Sequence, residues 1–139
     1  MNMKKTVIVL ALIAGVCCSC NSNMKKVQKL IEEYSQNADT LCKELNASDV
    51  RFTNDEWAYV EAEREAQECE TIIKVGRNLD LNVAKVGYTQ KKLQRLICRA
   101  EILRVPLNAE QRAFAQKYWD MKVYASAQQL LERWVQIHS

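Results

Sequence analysis

Helix-breaking residues are scarce in this chain, and their scarcity limits the folds open to it. The 139 residues include three glycines and one proline, and only Gly76, Gly87 and Pro106 come after residue 20. Turns depend on glycine and proline, whereas helix interiors exclude proline and disfavour glycine. We therefore expect long, uninterrupted helices joined at a few points.

The first 20 residues have the order of an export signal. Two lysines precede an apolar run over residues 6–16, and a Cys-Cys-Ser-Cys exit ends at Cys20. The run is shorter than the roughly 20 residues that a helix needs to cross a bilayer. A basic start, a short apolar run and a small-residue exit are typical of a cleaved secretory signal.

The cysteines at this exit make the segment resemble a bacterial lipoprotein signal peptide, in which the residue after the cut carries fatty acyl chains such as palmitate. Ser19 fits the position before the cut, while Cys17 stands where leucine is usual. The resemblance implies lipidation of Cys20 and anchoring to the cell-envelope membrane; ordinary cleavage without a lipid is the alternative. An acidic run after the lipid-bearing cysteine would resemble a signal for export to the cell surface, and none follows Cys20. We therefore expect the protein on the periplasmic face of the outer membrane.

Four stretches after the signal carry apolar residues at the helical period. The predicted helices, with their caps, cover residues 24–45, 53–76, 82–104 and 108–137. Short connections between helices favour antiparallel neighbours. The predicted fold class is all-α: an antiparallel helical bundle of about four helices, formed by residues 21–139 as one domain after a signal at residues 1–20.

Two of these helices begin with a capping box. Thr53 precedes Glu56 by three residues, and Asn108 precedes Gln111 by three. In such a pair each side chain bonds the backbone N–H of the other residue. At the other end of the second helix, Gly76 is expected to act as a left-handed stop.

The fourth helix is apolar around a wide arc. Its two apolar rows are Phe114, Tyr118, Met121 and Ala125, and Trp119, Val123, Ala127, Leu130, Trp134 and Ile137. A helix so widely apolar packs against two neighbours or against a partner.

Charge favours pairing of the second and third helices. Residues 55–70 carry seven acidic side chains and only one basic one, whereas residues 85–104 carry six basic side chains and only one acidic one. Adjacent antiparallel helices of opposite sign attract each other and discourage wrong registers.

The same hairpin suggests a disulfide. If the chain turns near residues 79–82, Cys69 and Cys98 fall at similar heights on neighbouring helices. An oxidising compartment would then allow a Cys69–Cys98 bridge, with Cys42 left as a buried thiol. Three unpaired cysteines are the alternative.

No residue pattern predicts catalysis, a cofactor or a metal site. A cysteine nucleophile needs a histidine base, and the sole histidine, His138, is next to the end of the chain. Residues 21–139 have a formal charge of about +1, unlike the strongly basic face of a nucleic-acid binder. We expect a non-catalytic protein with no cofactor, no metal and no small-molecule substrate.

The segment Leu107-Asn108-Ala109-Glu110-Gln111 resembles the Leu-Thr-x-x-Gln motif of small helical periplasmic stress chaperones, and Phe52-Thr53-Asn54-Asp55-Glu56 is a looser copy. That resemblance implies a chaperone-like factor that holds unfolded clients, although helix capping also explains both segments. The start of the second helix also resembles small helical lipoproteins of Bacteroides-like bacteria, whose function is unknown.

Two functions from different classes follow. The first is a lipid-anchored interaction module that binds a protein partner or an envelope component; the alternative is the chaperone. Exposure of the fourth helix separates them, because client holding needs a contiguous apolar surface.

The lipid prediction can be tested on the protein from its native host. We expect mass spectrometry to find a mature amino terminus at Cys20 that carries acyl chains. An unacylated terminus at any other residue would contradict the lipoprotein resemblance.

Overall fold

The computed structural model of the protein describes residues 22–139. Its elements are α1 (Ser22–Asn46), α2 (Asn54–Asn78), a short 3₁₀ helix (Val83–Val86), α3 (Gln90–Leu103) and α4 (Ala109–His138). The predicted all-α, antiparallel bundle of four helices is confirmed. Helix α1 already begins at Ser22, two residues after the predicted lipid site.

Helix α4 lies between α1 and α2. Within residues 22–139 the helices follow the spatial order α1, α4, α2, α3, and α3 contacts α2 alone. Helix α1 runs antiparallel to α4: the rings of Tyr34 and Tyr124 stack with centroids 5.2 Å apart, and Lys117 Nζ lies 3.3 Å from Glu44 Oε2. The wide apolar arc of α4 therefore has two neighbours, which is one of the two alternatives that its pattern left open.

Two tryptophans of α4 attach it to α2. Trp119 Nε1 donates to the carbonyl oxygen of Val60 at 2.7 Å, and Trp134 Nε1 donates to that of Leu79 at 3.2 Å. These bonds satisfy the indole N–H groups, which would otherwise be buried without a partner. From the first pair to the second, the residue numbers increase on both helices. Helices α2 and α4 therefore run parallel, as alternate helices of an up-and-down bundle do.

The two ends of the bundle are closed differently. At the end where α1 begins, the Ser22 end, one apolar cluster unites the start of α1 with the end of α4 (Met24, Val27, Ile31, Leu131, Trp134 and Val135). At the opposite end, the Thr53 end, Phe52 packs 5.3 Å from Trp57 and 5.4 Å from Phe114, measured between ring centroids. Phe52 therefore acts as the hydrophobic staple of α2.

Gly76 does not end α2, so that expectation was wrong. The helix continues to Asn78, and Asp80, with φ of 54°, takes the left-handed conformation. The N–H of Leu81 bonds the Gly76 carbonyl at 2.8 Å, and the N–H of Asp80 bonds the Arg77 carbonyl at 3.1 Å. These are the two bonds of a Schellman ending, displaced by one helical turn from the predicted stop.

Gly76 instead allows a close approach between α2 and the segment that follows it. An added Cβ at Gly76 would overlap Val83 Cγ1. The chain after α2 therefore folds back against the last turns of α2. Helix α3 starts only at Gln90, with Thr89 as its cap, rather than near residue 82 as predicted.

This contact predicts a coupled pair of substitutions. Gly76→Ala should lower the free energy of unfolding by about 1–3 kcal/mol, because the added methyl overpacks against Val83. In the double variant Gly76→Ala/Val83→Ala the clash is absent, so the two single losses should not add. Thermal or urea unfolding measures both effects, and simple additivity would contradict the contact.

Candidate interaction surface

Both predicted capping boxes are present. In the first, Thr53 N donates to Glu56 Oε2 at 2.9 Å and Glu56 N donates to Thr53 Oγ1 at 3.2 Å. In the second, Asn108 N donates to Gln111 Oε1 at 3.0 Å and Gln111 N donates to Asn108 Oδ1 at 2.8 Å. The residues that carry the chaperone resemblance are therefore occupied in starting α2 and α4.

Gln111 also joins the two caps to each other. Its Nε2 donates to Glu56 Oε2 at 3.0 Å and to the carbonyl oxygen of Arg51 at 3.1 Å. This contact is possible because α2 and α4 are parallel and start at the same end of the bundle. All hydrogen-bonding atoms of the Gln111 amide thus have partners within the fold.

Arg64, the single basic residue in the acidic part of α2, organises a polar network. Its guanidinium donates to Glu61 Oε2 at 2.7 Å and to Glu68, and Tyr118 of α4 donates its hydroxyl to Glu61. Burial raises the pKa of Glu61, but the bonds from Tyr118 and Arg64 outweigh it, so that the pKa lies below its usual value. Burial and the Glu61 carboxylate raise the pKa of Tyr118 to about 12.

The network extends to α3 and to the segment that precedes it. Tyr88 donates its hydroxyl to Glu68 Oε1 at 3.0 Å, and Arg99 Nη1 lies 2.8 Å from Glu65 Oε2. Burial and Glu68 raise the pKa of Tyr88 to about 12. Four carboxylates of α2 therefore bond other parts of the bundle, namely those of Glu56, Glu61, Glu65 and Glu68. The predicted charge attraction between α2 and α3 takes the form of one direct pair.

The structure does not bring Cys69 and Cys98 together. Cys69 is buried, with Sγ 3.9 Å from the Thr89 carbonyl, whereas Cys98 is exposed, and both are free. The chain returns along α2 before α3 begins, so Cys69 lies level with Thr89. Cys98 comes nine residues later, about 13 Å further along at 1.5 Å per residue. The predicted hairpin did not include the segment between α2 and α3 that folds back along α2, and this segment shifts Cys98 away from Cys69.

The structure tests the expectation for Cys42 but not the one for Cys20. Cys42, predicted as a buried thiol, is exposed on α1. Cys20, the predicted lipid site, lies outside the described residues. Burial raises the pKa of the Cys69 thiol, which keeps it protonated and unreactive.

The apolar arc of α4 is covered by its neighbours. Of the ten apolar positions in its two rows, only Ile137, 59% accessible, is exposed. Ala127, Leu130 and Trp134 are buried, and the other six positions of the two rows are half-buried. Client holding therefore loses the surface that the sequence offered for it.

Helix α3 carries an open surface. A groove of about 460 Å³ runs along it, lined by Gln94, Arg95, Cys98, Arg99, Ile102 and Leu103. Ile102 is 84% exposed, and Ala100 is the only buried residue of this helix. The sequence did not predict the exposure of Ile102, because the helical period does not reveal that α3 has a single helix neighbour.

Two further kinds of feature were sought among the described residues. No helix among residues 22–139 is both long and apolar enough to cross a membrane. The same residues contain no group of three metal-ligating side chains. His138, the only histidine, stacks on Trp134 with ring centroids 4.1 Å apart.

Comparison with known proteins gives no assignment: no family model, no curated protein and no solved structure matches this chain.

The link between the caps predicts a charge-dependent effect. Gln111→Glu should lower the free energy of unfolding by about 1 kcal/mol, because the amide donor to Glu56 is replaced by a second carboxylate. The loss should shrink in acid, where carboxylates are protonated, and in the double variant Gln111→Glu/Glu56→Gln. Chemical unfolding measures each change.

Gln129→Glu, at an exposed position of α4, is the matched control and should have little effect. Equal losses at positions 111 and 129, or a loss unchanged by Glu56→Gln, would contradict the role given to Gln111.

Proposed function

We propose that this protein is a non-catalytic, lipid-anchored interaction module of the bacterial cell envelope. The observation that carries the proposal is the open groove along α3, in a bundle whose other apolar rows are largely covered. The signal resemblance at residues 1–20 supports the anchor on Cys20 and the location on the periplasmic face of the outer membrane.

The groove favours a protein segment that combines apolar and acidic side chains. Ile102 and Leu103 supply apolar contact, and Arg95 supplies a positive charge with no ion pair among residues 22–139. Arg99 is less available, because it already pairs with Glu65 at 2.8 Å. A contiguous apolar patch rimmed by polar side chains is a feature of interaction sites.

The chaperone alternative has less support. Its two motif-like segments serve as caps, and the α4 arc that would hold a client is covered by α1 and α2. The interaction module is therefore the function we favour.

The exposed cysteines provide a matched cross-linking experiment. A thiol-specific photo-cross-linker on Cys98, in the chain with Cys42→Ser, should capture a specific protein from the native envelope. The same reagent on Cys42, in the chain with Cys98→Ser, should not, because Cys42 lies on α1. Mass spectrometry of the adduct should identify an apolar, acidic segment.

Surface variants test whether the cross-linked protein binds in the α3 groove. Ile102→Asp should abolish it without loss of stability, since Ile102 is 84% exposed. Arg95→Glu should weaken it, and Lys43→Glu on α1 should leave it unchanged. Capture that survives Ile102→Asp, or that is equal at Cys42 and Cys98, would contradict a binding role for α3.

A further inference from the structure

We infer that the Ser22 end of the bundle docks onto an anionic lipid surface, so that the protein stands on the membrane in one orientation. The inference rests on the proposed anchor at Cys20, and it adds a second contact to it. The start of α1 and the ends of α2 and α4 form the surface that faces the membrane, and anionic headgroups are the lipid chemistry that this surface selects.

Chain geometry places this end next to the membrane. Helix α1 begins at Ser22, and two residues of chain span at most about 7 Å. The ends of α2 and α4 lie at the same end, since Trp134 Nε1 bonds the Leu79 carbonyl and the first turns of α1 pack on Trp134 and Val135. An acylated Cys20 therefore brings three helix ends close to the lipid headgroups.

The charge at this end suits anionic headgroups. Residues 22–28, 72–87 and 132–138 contain six basic and two acidic side chains, whereas the rest of residues 22–139 contains twelve basic and fifteen acidic. The six basic residues are Lys25, Lys26, Lys74, Arg77, Lys85 and Arg133. The positive charge of the domain is thus concentrated where the anchor begins.

Most of these cations are available. Lys25, Lys26, Arg77 and Lys85 are exposed and form no ion pair with any residue of 22–139; Lys74 pairs with Glu70 at 3.2 Å. Basic residues next to a membrane anchor bind anionic lipids, and an acyl chain combined with a basic patch anchors more firmly than a chain alone.

Exposed apolar side chains accompany the charge. Ile137, 59% exposed, lies in the last turn of α4, and Val86, 37% exposed, lies in the segment that folds back on α2. Side chains of this kind can enter the boundary between headgroups and acyl chains. The docked orientation keeps the Thr53 end away from the membrane and leaves the α3 groove on the side of the bundle.

Depth-dependent fluorescence quenching tests this arrangement on the full lipidated chain. The chain is reconstituted in vesicles with brominated acyl chains, made of phosphatidylcholine with or without phosphatidylglycerol. We expect Ile137→Trp to show added emission that is quenched in the phosphatidylglycerol vesicles and less quenched at high salt. Ile102→Trp, at an exposed position near the far end of α3, is the control and should not be quenched.

Charge variants and flotation separate the possible failures. Lys25→Glu/Lys26→Glu in the Ile137→Trp chain should remove the quenching while the protein still floats with the vesicles. Equal quenching at positions 137 and 102, or none at 137 in a protein that floats, would overturn the docking alone. A chain that carries no acyl group and does not float would overturn the proposed anchor and the docking that depends on it.

Discussion

The two-sided packing of α4 is the constraint on which the rest of this structure depends. Its apolar residues cover too wide an arc for one neighbour, so α4 lies between α1 and α2, which have no close backbone approach to each other. Trp119 and Trp134 fix its direction and height relative to α2 through hydrogen bonds to carbonyl oxygens. Because α4 takes this central place, α3 is left with α2 as its only neighbour, and its outer surface remains open.

Local signals in the sequence predicted most of the fold, and long-range contacts account for what they missed. The caps at Thr53 and Asn108 depend on residues three positions away, so the starts of α2 and α4 were readable. The function of Gly76 was not, because the side chain that requires it belongs to Val83 on the returning segment. The same segment displaces α3 along α2 and separates Cys69 from Cys98.

The candidate site was harder to predict than the fold. Hydrophobic periodicity identifies which face of a helix is apolar, but it does not say how many neighbours cover that face. For α4 the answer was two, and the apolar arc was covered; for α3 it was one, and Ile102 and its groove stayed open. Net charge along a helix was similarly ambiguous. Glu61, Glu65 and Glu68 near Arg64 bond residues outside α2, whereas the lysines near Ser22 form no ion pair within residues 22–139.

Native-state hydrogen exchange of the intact protein tests most directly whether α4 is the central helix and α3 a peripheral one. Amides of α4 should exchange only through global unfolding, while those of α3 should exchange through a partial opening of lower free energy that leaves α4 protected. Denaturant dependence distinguishes the two processes residue by residue. Equal opening free energies in α3 and α4, or earlier exchange in α4, would contradict this account.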